Sequence, residues 1–103
     1  IANNDDMAVG AIDALKASDL SREEWPVVVG IDGTDVGLEA VKNGEMAGTV
    51  YNDKDGQAKG MLELSFALAT GGNLEDLNLE DGKYIRMPYA KVGPDDVDEY
   101  LNR

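Results

Sequence analysis

The sequence predicts an α/β fold in which helices flank a mainly parallel sheet. Short apolar runs alternate with segments whose apolar residues recur at helical spacing. Residues 27–31 form an unbroken, mostly β-branched run, which is typical of a strand buried on both faces of a parallel sheet. The predicted helices are about ten residues long, a length that suits the crossover connections between parallel strands.

The first predicted helix covers residues 7–16. Asp5 and Asp6 precede it at the positive end of the helix dipole, and Lys16 lies at the negative end, so the charges favour a helix here. Four apolar side chains at helical spacing are predicted to face the core: Met7, Ala8, Ala11 and Leu15.

A second helix is predicted over residues 35–43, where Gly44 supplies the C-terminal cap. Its inward side chains are predicted to be Val36, Ala40 and Val41. The next strand is predicted at residues 48–52, and residues 53–56 are predicted to form a turn.

A longer helix is predicted over residues 57–69, ended by the glycine pair at 71 and 72. One face of it is predicted to be buried, with the side chains of Ala58, Met61, Leu62, Ser65 and Leu68. A strand is predicted at residues 84–87, and a last short helix begins at Pro94.

Composition excludes several classes of function. The chain has 103 residues, a net charge of −12, and neither cysteine nor histidine. This length suits one small domain at most. Without those two residue types there is no histidine-based catalytic triad, zinc–thiolate site or disulfide. A surface this acidic repels phosphate backbones and anionic membranes, so the sequence predicts no binding to nucleic acid.

Polar side chains lie at three places interpreted as strand ends: the start of the chain before the first helix, and the ends of the strands predicted at 27–31 and 48–52. They are Asn3, Asn4 and Asp5, then Asp32 and Asp35, then Asn52, Asp53 and Asp55. Open parallel sheets bind ligands at the carboxyl ends of their strands. Carboxylates accept hydrogen bonds and carboxamides both donate and accept, so together they match the vicinal hydroxyls of a neutral polyol. Asn and Asp are also common helix caps and turn residues, and that alternative stays open for each position.

Two segments are similar to a catalytic motif and to a metal-binding motif, but each lacks the residues that the chemistry needs. Residues 27–34 are similar to the start of haloacid-dehalogenase-type phosphatases, but the position of the nucleophilic aspartate falls on Gly30. Residues 53–56 are similar to part of an EF-hand, but its first and last ligand positions fall on Tyr51 and Leu62. We therefore predict that the chain is not an enzyme and holds no metal.

Four blocks of sequence together resemble a known family. They are IANNDDMAVGA at 1–11, VGID at 29–32, AGTVYND at 47–53 with QAK at 57–59, and IRMPY at 85–89. In this order they are similar to the C-terminal part of the periplasmic galactose/glucose-binding proteins, and the similarity covers essentially the whole chain. The first block alone is shared with sugar-responsive regulators of the lactose-repressor type.

The resemblance implies a partial Rossmann-like sheet of the periplasmic binding protein type I, from a protein whose two lobes close on a monosaccharide. It implies that Asn4, Asp32 and Asn52 bind sugar hydroxyls. Residues 1–52 are then part of the C-terminal lobe, residues 53–87 cross into the N-terminal lobe, and residues 88–103 return. The calcium site of the family is expected outside this chain, so no cofactor is expected here.

The implied function is that of the substrate-binding component of an ABC importer for galactose or glucose. Its expected partners are the hexose, the ABC permease and a chemoreceptor, and its expected location is the periplasm or, with a lipid anchor, the cell exterior. The alternative is the effector-binding region of a lactose-repressor-type regulator. Ile1 is interpreted as a cut end, so we expect this chain alone to bind sugar weakly or not at all, and to self-associate or exchange strands.

Overall fold

The computed structural model describes residues 1–103 and confirms the α/β class. Its regular elements are α1 (Asp5–Lys16), α2 (Asp35–Lys42), β1 (Thr49–Tyr51), α3 (Lys54–Thr70), β2 (Ala90–Val92) and α4 (Val97–Leu101), with short 3-10 helices at Arg22–Glu24 and Leu74–Leu77. The chain forms two compact units. We call residues 1–52 with 89–103 the discontinuous unit, and residues 53–88 the inserted unit. The assignment of these segments to two lobes stays a prediction.

Helix α1 buries only part of the predicted face: Ala8 is buried, as predicted, and Leu15 is half-buried. Its buried residues are Asp5, Ala8 and Ile12, whereas Met7 is 56% exposed and Ala11 is exposed. Hydrogen bonds to the Asp5 carboxylate fix the rotation of the helix. Met7 and Ala11 therefore face solvent, whereas Val9 is half-buried against the core.

Helix α2 begins after Thr34, whose hydroxyl accepts from the Gly37 N–H at 3.2 Å. Ala40 and Val41 are buried, as predicted, together with Leu38. The prediction for Val36 is wrong, because this residue in the first turn is 52% exposed. Gly44 has a φ of 75° and donates to the Val41 carbonyl, as expected for the residue that ends a helix.

The regular ladder of the sheet is antiparallel, where a mainly parallel sheet was predicted. β1 pairs with β2 in the register Thr49 to Val92 and Tyr51 to Ala90. The predicted parallel pairing of the run at 27–31 is present, because four backbone hydrogen bonds and two isolated bridges join residues 28–32 to residues 47–52. The run nevertheless does not form a regular strand. Val27 is 79% exposed, so the apolar run is not buried on both faces.

The core of the discontinuous unit lies where α1 and α4 pack against α2 beside the sheet. Its largest fully buried apolar side chains are Ile12, Leu38, Met46, Val41 and Val92. The rings of Tyr51 and Tyr100 lie 5.0 Å apart between centroids, which joins α4 to β1. This packing holds the end of β1 in a fixed position.

Helix α3 of the inserted unit starts earlier than predicted. The Asp53 carboxylate accepts from the Gly56 N–H at 3.0 Å, and the helix begins at Lys54, so the predicted turn at 53–56 is wrong. The helix ends as predicted, at Gly71 with a φ of 68°. None of the helices combines the length and the apolar character needed to cross a lipid bilayer.

The predicted buried face of α3 is exposed. Met61, Leu62 and Leu68 are 63%, 71% and 62% exposed, and Ala58 and Ser65 are exposed as well. Gly60 is the buried residue of this helix, with Ile85 and Met87 close to it. The predicted strand at 84–87 is also wrong, because this region pairs only through one antiparallel bridge between Glu80 and Tyr84.

Candidate functional site

The candidate site lies at the edge of the discontinuous unit where β1 ends. The Asp32 N–H donates to the Val50 carbonyl at 2.8 Å, and the Asp32 carbonyl accepts from the Asn52 N–H at 3.0 Å. Both residues are half-buried. The structure therefore brings two of the three predicted ligand-binding residues side by side.

The backbone at Asp32 is held in an uncommon conformation. Asp32 has a φ of 115° and Gly33 follows with a φ of 71°. A residue with a side chain in this region costs of order 1–3 kcal/mol, and such residues cluster at functional sites. A Cβ atom at Gly33 would lie 2.7 Å from the Tyr51 Cδ2 atom, so the loop packs directly on the ring at the end of β1.

Asn4 lies immediately before α1 and is half-buried. Its Oδ1 atom accepts from the Met7 N–H at 2.9 Å, so the capping role considered from the sequence is real. A cap uses only the oxygen of the carboxamide, and the NH2 group remains the part that is suited to donate to a ligand.

Asp5 connects Asn4 to the other two residues. It is fully buried, and its Oδ2 atom accepts from the Thr34 N–H at 2.8 Å and from the Thr34 hydroxyl at 3.3 Å. Its Oδ1 atom accepts from the Thr49 hydroxyl at 2.6 Å. Thr34 lies two residues after Asp32, and Thr49 lies three residues before Asn52.

The expectation that Asp5 belongs to a solvent-facing polar edge is therefore wrong. Sequence reasoning missed Asp5, Thr34 and Thr49 as a group. A usable signal was present, because Asp5 lies three and seven residues before Ala8 and Ile12, on one helical face. Two glycines make room for the carboxylate, since a Cβ atom at Gly30 would overlap its Oδ1 atom and one at Gly37 would overlap its Oδ2 atom.

The remaining polar residues of the predicted edge have other positions. Asn3, Asp35 and Asp55 are exposed, and Asp53 caps α3. Trp25 precedes the predicted strand at 27–31, which favours packing over ligand stacking. It is half-buried against the core, with the Arg22 guanidinium 4.5 Å from its ring centroid.

Two surface ion pairs raise the pKa values of their lysines. Hydrogen bonding to Glu45 raises the pKa of Lys16, and hydrogen bonding to Asp98 raises the pKa of Lys42. No group of three or more carboxylates is arranged to hold a metal ion. Chemically, Asp32 and Asn52 place one carboxylate beside one carboxamide, and Asn4 carries a second carboxamide at the start of α1; these groups are acceptors and donors for hydroxyl groups.

Residues 1–73 match the family model described as periplasmic binding protein domain. The D-galactose/methyl-galactoside binding periplasmic protein MglB of Haemophilus influenzae is 36% identical over 98% of this chain and 30% of its own length. A putative rhizopine-binding protein of Rhizobium meliloti is 45% identical over 100% of this chain and 31% of its own. An ABC transporter solute binding protein from Bacillus halodurans with bound myo-inositol superimposes with a TM-score of 0.75 and 35% identity, over 96% of this chain and 31% of that structure. The chain thus spans about a third of the length of these relatives.

Proposed function

The chain belongs to the family of periplasmic binding proteins that serve ABC importers, and from this membership we propose that it contributes one wall of a site for a neutral polyhydroxyl ligand. The carrying observation is the pair of backbone hydrogen bonds that keeps Asp32 beside Asn52 at the end of β1. The family binds solutes and is not enzymatic. The proposal therefore assigns neither a nucleophile nor a metal cluster to the site.

Each of the three residues has a distinct role in this proposal. Asp32 accepts hydrogen bonds from two adjacent hydroxyls, because a carboxylate offers two oxygens. Asn52 both donates and accepts, and Asn4 donates through its amide NH2 group while its oxygen caps α1. These groups recognise hydroxyls without requiring a charge on the ligand.

We propose a hexose, D-galactose or D-glucose, as the ligand. The relative from Haemophilus influenzae, a D-galactose/methyl-galactoside binding protein, supports this choice. The solved structure with bound myo-inositol makes a cyclitol the second candidate. The importer role, the permease and chemoreceptor partners, and the periplasmic or lipid-anchored location are part of the same proposal, and the ABC transporter relative favours it over a regulator of the lactose-repressor type.

The test is an NMR titration of the ¹⁵N-labelled chain with D-galactose, D-glucose, myo-inositol and xylitol. We expect sugar-dependent shifts at Asn4, Asp32 and Asn52, with a dissociation constant weaker than millimolar, because the chain spans a third of its relatives and forms part of a cleft. Emission from Trp25, the single tryptophan, should not change.

Asp32→Asn should abolish the shifts, and Asp35→Asn is the matched control because it removes the same charge from an exposed position three residues away. Equal responses of the two variants, or shifts confined to other residues, would contradict the proposed site. Millimolar or tighter glucose binding in calorimetry would contradict the expectation of weak binding.

A further inference from the structure

We propose that Asp5 is a positioning residue for the ligand edge, and that its buried carboxylate holds Asp32 in the conformation that ligand binding uses. This inference rests on the proposed function for the identity of the ligand. Asp5 does not touch that ligand, since it is fully buried and its partners are Thr34 and Thr49.

The first argument is the cost of a buried charge. A carboxylate inside a protein is costly unless it is hydrogen-bonded, and an apolar residue at this position of α1 would continue the stripe of Ala8 and Ile12 without that cost. The carboxylate instead joins three segments of the chain: the start of α1 after Asn4, the loop after Asp32, and β1 before Asn52. These are the segments that carry the three proposed ligand-binding residues.

The second argument is the backbone at Asp32. With a φ of 115°, this residue relaxes toward an extended conformation unless the chain is held on both sides. On one side, its own N–H and carbonyl bond to Val50 and Asn52. On the other side, the Thr34 N–H donates to Asp5 at 2.8 Å, so the side chain of Asp5 supplies the second anchor of the loop.

The third argument is the fit of the carboxylate. Gly30 and Gly37 lie against its two oxygens, so the pocket has no room for a longer side chain. Asp5→Glu should therefore not substitute for the native residue, although it keeps the charge. A site that needed only negative charge would accept this change.

The experiment compares Asp5→Asn, Thr49→Val and Thr49→Ser with the wild-type chain, and uses Asp6→Asn, at an exposed neighbouring position, as the control. The ligand-free readout is the three-bond HN–Hα coupling of Asp32, which is small at its present φ and large in an extended chain. The second readout is the dissociation constant for D-galactose from NMR titration.

We expect Asp5→Asn and Thr49→Val to raise the Asp32 coupling and to weaken galactose binding roughly tenfold, the size expected for a lost hydrogen bond to a charged group. Thr49→Ser and Asp6→Asn should change neither readout. If Asp5→Asn does not fold, Thr49→Val decides the question. Unchanged coupling in a folded Thr49→Val variant overturns the proposal. Absence of any sugar response in the wild type contradicts the proposed function alone, because the coupling is measured without ligand.

Discussion

A single added methyl group at Gly30 meets the buried carboxylate of Asp5. We expect Gly30→Ala to lower the free energy of unfolding by roughly 1–3 kcal/mol, because overpacking forces backbone or side-chain shifts in a close-packed interior. Urea unfolding followed by circular dichroism measures this change.

Gly10→Ala is the matched control. Gly10 lies in α1, is exposed, and has no atom within 4 Å of an added Cβ. Alanine has the higher helix propensity, so this variant should gain about 0.5–1 kcal/mol. A Gly30→Ala chain as stable as the wild type would show that the Asp5 pocket can expand.

The 3-10 helix at Arg22–Glu24 is closed by a titratable contact. The Ser21 N–H and hydroxyl donate to the Glu24 carboxylate at 2.8 and 3.0 Å, and these bonds lower the pKa of Glu24 below its usual 4.5. Because the pKa of Glu24 is lowered in the folded chain, the contact stabilises the fold at pH values above the usual pKa. This contribution is lost as the pH falls through the lowered pKa.

An NMR titration of the Glu24 side chain should therefore have a midpoint below 4.5 in the wild type, and Ser21→Ala should move the midpoint upward. The Ser21 backbone N–H still donates in that variant, so the midpoint should move only part of the way back to the usual pKa of 4.5. Ser65→Ala, in α3, is the control and should leave the midpoint unchanged. An unchanged midpoint in Ser21→Ala would mean that the hydroxyl makes no contribution.

Sequence patterns predicted helices better than strands. The existence of α1, α2 and α3 follows from caps and periodicity, but the start of α3 was missed because Asp53 to Gly56 carries turn chemistry and cap chemistry alike. The run at 27–31 has the composition of a buried strand, yet composition does not state how many neighbours the strand has. β2 was missed although Lys91 is exposed and Val92 is buried, an alternation that is short but visible.

At the scale of the whole molecule, the inserted unit exposes an apolar helix surface. Met61, Leu62, Phe66 and Leu68 of α3 are each more than 60% exposed. Apolar surface of this kind favours association, and a net charge of −12 opposes it. We expect oligomers in light scattering at tens of micromolar, increasing with salt because salt screens the repulsion.

Phe66→Lys should reduce this association, because it removes an exposed apolar side chain. Ser65→Lys is the control and should not reduce it, since it makes the same charge change at the neighbouring exposed position. A clean monomer at that concentration in high salt would contradict the expected self-association.

The candidate site was predictable only in part, for a reason that belongs to the whole molecule. The rule that ligands bind at strand ends predicts that Asp32 and Asn52 lie in one region. In the structure the Asn52 N–H donates directly to the Asp32 carbonyl. The rule does not distinguish an acidic residue that faces outward from one that turns inward. Asp5 turns inward because Thr34 and Thr49, 29 and 44 residues away, supply its donors, and such distant pairings leave no local pattern.

Residues 53–88 form an insertion between the two segments of the discontinuous unit. Because Tyr51 pairs with Ala90, the chain leaves and re-enters this unit at points about one strand spacing apart, roughly 5 Å. A tight turn spans such a gap as well as a whole folded segment does, and lengthening a connection adds little to the entropy of closing it. The pairing of β1 with β2 thus sets the distance between the two attachment points but not the size of the segment that joins them. A segment of another length or fold can therefore replace residues 53–88 while the β1–β2 pair stays intact.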